Sequence, residues 1–130
     1  AFTNAIAQDL GFAPQQAEEY KKTYGLQKNQ LEGKVYHAML PIFKVITEEI
    51  KKSLTYFQNR YPNDPIKALI LSGGTARMPG IVETMVEEVG LETQVGNPWL
   101  KVTRDPKKFV KLEETGALFA VACGLAMRKE

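Results

Sequence analysis

The sequence predicts an α/β fold, and three stretches lead to that prediction. The run Ala68–Leu71 is short and apolar, and two glycines follow it closely, which is the pattern of a strand buried on both faces. Apolar residues in Ile81–Val89 then recur at helical spacing and stop at Gly90. Glu92–Val95 is a second strand candidate. A strand, helix and strand of this length predict a right-handed parallel crossover.

Two short helices are predicted at the start of the chain. Thr3 is a suitable cap for the first helix, and Gly11 marks its end. Pro14 opens the second helix, which stops at Gly25. The stretch from Asp9 to Gly11 imitates a phosphate loop, but Asp9 lies late in a helical pattern. Gly11 is therefore better explained as a helix stop.

A long amphipathic helix is predicted after a polar connector over residues 26–33. Its apolar residues recur at spacings of three and four from about residue 34 to residue 61, which marks one buried stripe. Pro41 lies inside this pattern and has no backbone N–H to donate. A kink or a break is therefore expected around residues 37–41.

The last part of the chain carries weaker signals. Trp99 is expected to be a hydrophobic plug rather than a platform for base stacking. Residues 101–116 predict a loop and a short helix, with lysines on a solvated face. A last helix over residues 117–127 contains small residues that permit close approach to a sheet, and Cys123 within it is expected to be inert core.

The composition is that of one globular domain or a piece of one. The 130 residues are 44% hydrophobic and 25% charged, and the net charge of +2 comes from interspersed signs, so nucleic acid is not an expected partner. No apolar run approaches the roughly 20 residues that a membrane helix needs, and no secretory signal opens the chain. A single cysteine excludes an internal disulfide. The prediction is a cytoplasmic chain that does not insert into a membrane.

The turn at Gly73 and Gly74 is the first candidate binding site. In open α/β sheets, ligands bind at the carboxyl ends of strands. Two adjacent residues without Cβ let a flat or anionic ligand approach the backbone, and exposed N–H groups favour phosphate or hydroxyl oxygens. Pro79 suits the first turn of the helix that follows. The turn suggests a nucleotide, although from spacing alone two glycines that only close a tight turn are the simpler explanation.

A second candidate is the pair Glu18 and Lys21 on the second predicted helix. Residues three apart project from one face of a helix, so the two charges are neighbours. An ordinary surface ion pair is the simpler explanation of this spacing, and such pairs contribute little to stability. Spacing alone therefore favours a surface pair over a ligand contact.

The glycine turn resembles a known motif. Residues 73–79 read Gly-Gly-Thr-Ala-Arg-Met-Pro after an apolar strand, which resembles the adenosine motif of the actin-like ATPase superfamily. Within that superfamily the sequence most resembles the PilM family of type IV pilus assembly, and secondly the cell-division family FtsA. Residues 95–99 and 120–128 add to the likeness. The resemblance covers nearly the whole chain but only the later portion of such a protein.

The resemblance implies the fold in more detail. It implies the second lobe of an actin-like, ribonuclease H-like ATPase fold with an incomplete sheet. Residues 1–61 would form a helical upper subdomain, and residues 62–130 an α/β lower subdomain that carries the adenosine motif. The chain would begin just after the second phosphate loop of the family ends.

The resemblance also implies a role for the second helix. In actin-like ATPases a Glu-x-x-Lys helix faces the glycine turn across the adenosine. Glu18 and Lys21 match that pattern, and Lys22 matches the basic residue that follows it in related chaperones. The acid would take ribose hydroxyls, and Lys21 would lie along the base.

On the turn itself, four residues are expected to contact the nucleotide. Arg77 would stack on or flank the base, because its guanidinium is planar and weakly hydrated. Thr75 would hydrogen-bond the base. Gly73 and Gly74 would pass the backbone beside the ribose and the α-phosphate.

The expected cofactors are ATP and Mg²⁺, bound between the lobes of the intact protein. ATP would set the angle between the lobes and hence the affinity for partners. The expected partner is a PilN-like inner-membrane pilus protein that docks on the first lobe, which would place the protein in the cytoplasm, peripheral to the inner membrane. Self-association is a further expectation.

The chain by itself is not expected to be catalytic. One histidine and one cysteine cannot supply an ordinary zinc site, and neither a Walker loop nor a Gly-x-Ser-x-Gly elbow is present. Any ATP hydrolysis would need carboxylates from two phosphate loops, which are not visible here. No catalytic or metal-binding residue is therefore assigned.

Two alternatives stay open. One is an actin-like scaffold that contacts pilus or division components without a working nucleotide site. The other is an FtsA-like division protein, which would carry an amphipathic membrane helix at its end. This sequence ends with Arg-Lys-Glu at residues 128–130 instead, which favours PilM unless the chain was trimmed.

Overall fold

The computed structural model describes residues 1–102 and 115–128. The helices and strands in that part are α1 (Phe2–Leu10), α2 (Pro14–Tyr24), α3 (Lys34–Arg60), β1 (Ala68–Leu71), α4 (Ile81–Val89), β2 (Glu92–Val95) and α5 (Ala120–Ala126). Short 3₁₀ helices cover Leu31–Gly33, Gly74–Arg77, Pro98–Lys101 and Gly116–Phe119. This mixture of helices and a small sheet agrees with the predicted α/β class. Most of the stretch predicted as a loop and short helix, 101–116, lies outside the described residues.

The strands β1 and β2 pair in a two-stranded sheet within the described part of the chain. Both begin and end at the predicted residues. Past their ends, the Gly96 N–H donates to the carbonyl of Leu71 at 2.8 Å. Burial of β1 on both faces was wrong, because the Ile70 side chain is 70% exposed and no described element covers it. The parallel, right-handed connection stays a prediction.

The chain divides into two compact units. Unit 1 contains Ala1–Leu69 and Met78–Thr93, and unit 2 contains Ile70–Arg77 and Gln94–Glu130. The subdomain boundary at residue 61, which the resemblance implies, stays a prediction.

Unit 1 is built around α3. Helices α1, α2 and α3 pack on one another, and α4 packs on α3. Buried residues of α3 recur at spacings of four from Val35 to Thr47 and form the middle of the core, so the predicted stripe is confirmed over this first half of the helix. Beyond Thr47 no residue of α3 is buried, so the prediction of one buried stripe up to residue 61 was wrong there. The largest fully buried side chains of the unit are Phe43, Ile6, Leu26, Met39, Val35 and Thr47.

Helix α3 continues through Pro41 without a break. The expected break was therefore wrong, whereas the kink that was the other expectation stays a prediction. Proline removes one backbone donor and crowds the preceding turn, which costs about 3 kcal/mol in an isolated helix. Here Ala38, Met39 and Phe43 are buried on both sides of the proline, and their packing holds the helix together.

The helix ends follow the glycines, but two helix starts differ from the predictions. Gly11 and Gly25 end α1 and α2 as predicted. Helix α1 begins at Phe2, so Thr3 lies inside it and does not cap it. Helix α4 begins at Ile81 after Gly80, and not at Pro79. A Cβ on Gly80, whose φ is +74°, would lie 2.7 Å from the carbonyl carbon of Leu26, so tertiary packing decides this start.

Unit 2 holds the glycine turn, two further 3₁₀ helices and α5. The ring of Trp99 is half-buried, lies 5.9 Å from the Phe119 ring centre and covers Gly116, in keeping with a plug. No residue of α5 is buried. Cys123 is only partly buried, so its assignment to an inert core was wrong.

Candidate functional site

The first group of predicted site residues lies on α2 in unit 1. Ala17 faces the core and is fully buried, so the next position, Glu18, lies at the border of the buried face. The side chains of Glu18 and Lys21 are 35% and 21% exposed, whereas that of Lys22 is 71% exposed. The helix therefore presents one carboxylate and one ammonium group in a partly sheltered position.

A hydroxyl from α1 completes this group. Lys21 Nζ lies 2.6 Å from Glu18 Oε2, and Lys22 Nζ lies 3.4 Å from Oε1. The Thr3 hydroxyl donates to Oε2 at 2.6 Å and accepts from Lys21 Nζ at 3.3 Å. Thr3, Glu18, Lys21 and Lys22 are called the Glu18 cluster below.

The cluster holds Glu18 in its charged form. The hydrogen bond from Lys21, followed by that from Thr3, lowers the pKa of Glu18 from 4.5 to about 2, against the opposing effect of desolvation. The carboxylate is therefore fully ionised near neutral pH. An ionised, oriented carboxylate is a strong acceptor for ligand hydroxyl groups.

The structure adds Thr3 to the residues that the sequence pointed to. Thr3 lies 15 residues before Glu18, and no motif connects the two positions. Its position near the chain start indicated a helix cap. The contribution of Thr3 becomes visible only because α1 packs on α2, and this packing cannot be inferred from the local sequence.

The second group of predicted residues lies on the glycine turn in unit 2. Gly73 has a φ of +87°, and a Cβ placed on it would meet no atom within 4 Å. The Gly73 N–H donates to the carbonyl of Ala117 at 2.7 Å, so this donor is not available to a ligand, contrary to expectation. The N–H groups of Gly74 and Thr75 make no backbone hydrogen bond to a described residue.

The side chains of this turn alternate between core and surface. Ala76 is buried, whereas Thr75 and Arg77 on either side of it are exposed. Within the described residues, neither Thr75 nor Arg77 makes a side-chain hydrogen bond or ion pair. Both side chains are therefore available to a ligand.

Each group of predicted residues is thus assembled within its own unit. Glu18, Lys21 and Lys22 are brought together on α2, and the residues from Gly73 to Arg77 form one turn. The action of both groups on one nucleotide stays a prediction.

Neither group has the ligands of a resident metal site. Across residues 1–102 and 115–128, no three side chains of histidine, cysteine, aspartate or glutamate are grouped as metal ligands. The Glu18 cluster offers one carboxylate beside two ammonium groups, a charge set that repels a cation. Helices in the same ranges are all too short or too polar to cross a membrane.

Comparison with known proteins identifies the family. The family model described as type IV pilus assembly protein PilM matches residues 1–130. A solved structure titled as a PilM-PilN type IV pilus biogenesis complex matches with a TM-score of 0.78 and 34% sequence identity. The match covers 98% of this chain and 35% of that chain, so the chain spans about a third of the solved relative. The predicted resemblance is confirmed, and the chain belongs to the PilM family of type IV pilus assembly proteins.

Proposed function

We propose that this chain forms part of the second lobe of an actin-like protein that binds ATP and supports type IV pilus assembly. The observation that carries the proposal is the Glu18 cluster, an ionised carboxylate oriented by two lysines and a hydroxyl. Membership of the PilM family supplies the biological setting. In the intact protein, ATP favours one arrangement of the lobes and thereby changes the affinity for partners.

The chemistry of the Glu18 cluster suits a ribonucleoside. The Glu18 carboxylate accepts hydrogen bonds from ribose hydroxyls, and bonds to an ionised acceptor are about twice as strong as neutral ones. Lys21 and Lys22 place positive charge beside it, which favours an anionic ligand such as a nucleotide.

The glycine turn suits the base and the α-phosphate. Arg77 is exposed and unpaired within the described residues, so its planar guanidinium is available to stack on the base. Thr75 hydrogen-bonds the base from the same turn. The backbone N–H groups of Gly74 and Thr75 are the available donors for a phosphate oxygen. Mg²⁺ arrives with ATP and is held by carboxylates elsewhere in the intact protein.

The partner in the proposal is a PilN-like inner-membrane pilus protein. A solved structure similar to this chain is titled as a complex of PilM with PilN. We assign the docking surface to the part of the protein outside these 130 residues, so no residue here is given that role. The protein would then work in the cytoplasm, held at the inner membrane by its partner.

The test is a titration of ATP·Mg²⁺ into the full-length protein. Arg77→Ala should weaken binding roughly tenfold, because stacking of a cation on an aromatic ring contributes about 1 to 2 kcal/mol when desolvated. Arg60→Ala is the matched control, because Arg60 is an exposed arginine at the end of α3 that contacts Tyr56 and Tyr61. Equal affinities of wild type and Arg77→Ala would remove Arg77 from the site.

A nucleotide-independent scaffold is the second candidate. One observation favours it: every charge in the Glu18 cluster already has a partner within the cluster, as in a purely structural network. On this alternative the full-length protein binds no ATP·Mg²⁺, and its affinity for the PilN-like partner does not change when nucleotide is added.

A further inference from the structure

We infer that Thr3 is a positioning residue that divides the two carboxylate oxygens of Glu18, committing Oε2 to the protein and leaving Oε1 for a ligand hydroxyl. The identity of that ligand, a ribonucleotide, rests on the proposed function. The division of the oxygens rests on the distances within the Glu18 cluster alone.

The two oxygens differ in how completely they are used. Oε2 accepts two short hydrogen bonds, from the Thr3 hydroxyl at 2.6 Å and from Lys21 Nζ at 2.6 Å. A carboxylate oxygen offers about two lone-pair sites, so Oε2 is saturated. Oε1 has only the longer ion pair to Lys22 Nζ at 3.4 Å. Oε1 therefore retains acceptor capacity.

The direction of the Thr3 hydrogen bonds is unambiguous. Lys21 has donors only, so the Thr3 oxygen must accept from Nζ at 3.3 Å, and its one proton goes to Oε2. The three groups thus close a ring of hydrogen bonds between α1 and α2. The last torsion of a glutamate side chain has a broad, shallow preference, so this ring fixes the plane of the carboxylate and hence the direction in which its second oxygen faces.

Lys22 completes the arrangement as a movable neighbour. Its side chain is 71% exposed, so it loses little when it leaves Oε1 to a ligand. Lys21 is only 21% exposed and is held by two acceptors, so it stays in place. A ligand hydroxyl consequently meets Oε1, from which the exposed Lys22 can be displaced, and not Oε2.

The experiment compares Thr3→Val with Thr3→Ser in the full-length protein. Valine keeps the shape of threonine but removes the hydroxyl, whereas serine keeps the hydroxyl. The readouts are the pKa of Glu18, from carbon-13 NMR of labelled glutamate, and the affinities for ATP·Mg²⁺ and 2′-deoxyATP·Mg²⁺. Thr55→Val is the matched control, because the Thr55 hydroxyl is exposed on α3 and donates only to the Lys51 carbonyl.

Thr3→Val should raise the pKa of Glu18 toward its ordinary value and weaken ATP binding about fivefold to tenfold, which lies within the usual range for the loss of one typical hydrogen bond. The variant's preference for ATP over 2′-deoxyATP should also become smaller, because Glu18 is the proposed acceptor for ribose hydroxyls. Thr3→Ser should restore the pKa, and Thr55→Val should resemble wild type.

Two results would overturn the inference: a Glu18 pKa that Thr3→Val leaves unchanged, or equal losses of ATP affinity in the valine and serine variants. If wild type binds no ATP, the proposed function fails. The NMR comparison then decides the role of Thr3 alone, since a pKa raised by valine and restored by serine still supports the division of oxygens.

Discussion

Two Glu-x-x-Lys pairs of unit 1 have the same sequence spacing and the same distance between ammonium and carboxylate, but different surroundings. Lys21 Nζ lies 2.6 Å from Glu18 on α2, and Lys52 Nζ lies 2.6 Å from Glu49 on α3. On α2, the lysine side chain is 21% exposed and the glutamate side chain 35% exposed. On α3, the corresponding values are 70% for the lysine and 65% for the glutamate. Only the α2 pair receives a hydroxyl from another helix.

The comparison shows what separates a site candidate from a surface ion pair. The spacing of three residues produces the same contact in both helices, because it is a property of helix geometry. In the α3 pair, the hydrogen bond that Lys52 donates to Glu49 raises the pKa of Lys52, and no hydroxyl from another described helix joins the two charges. In the Glu18 cluster, a third residue and partial burial convert the pair into an oriented acceptor.

The largest effect on stability is expected from a variant that disturbs the packing at the end of α2. Gly25 ends α2 with a φ of +51°, and a Cβ there would lie 2.3 Å from the Pro79 carbonyl oxygen. Gly25→Ala should therefore destabilise the full-length protein by about 3 kcal/mol, as combined overpacking and backbone strain do. Urea denaturation measures this loss.

Gly11→Ala is the matched control for that variant. Gly11 ends α1 with a φ of +69°, but a Cβ on it would meet no atom within 4 Å. Only the conformational cost of about 1 kcal/mol remains. Equal losses in both variants would contradict the packing of Gly25 on Pro79.

A smaller effect is expected from neutralising the two glutamates separately. Glu18→Gln keeps the shape of the side chain but removes the negative charge that accepts hydrogen bonds from Lys21 and Thr3. The free energy of unfolding should therefore fall by about 1 kcal/mol, as expected for a partly exposed network. Glu49→Gln should leave the free energy of unfolding unchanged, because its pair is exposed. A loss in Glu49→Gln as large as in Glu18→Gln would show that the surroundings of the two pairs do not matter.

The smallest effect is expected from pH. The pKa of Glu18 is about 2 in the folded chain, whereas an unperturbed glutamate has a pKa of 4.5. The stabilisation by its charge is therefore complete above pH 4.5 and disappears as pH falls toward 2. Wild type should therefore lose stability relative to Glu18→Gln between pH 5 and pH 3, by part of the difference seen at pH 7. Denaturation curves of both proteins across this range measure it, and a constant difference would exclude a lowered pKa.

Features that depend on neighbours in sequence were predictable. The bounds of β1 and β2 and the ends of α1 and α2 follow from apolar runs and glycines, and they agree with the structure. Glu18, Lys21 and Lys22 were predictable as a group, because helix geometry alone brings them together.

Features that depend on distant residues were not predictable. Thr3 belongs to the Glu18 cluster only because α1 packs on α2. Helix α4 begins at Ile81 and not at the predicted Pro79, because Gly80 packs against Leu26. In each case a contact across at least 15 positions decided the outcome, and no local pattern reports such contacts.

The sequence by itself determined which segments are helix and strand, where glycines stop them, and the family to which the chain belongs. These follow from periodicity and short motifs, which act over a few residues. Tertiary structure alone decided which of the two Glu-x-x-Lys pairs is sheltered and which of them receives a hydroxyl from another helix. The reason is that burial and a third hydrogen-bond partner come from helices that are distant in the chain and adjacent only after folding.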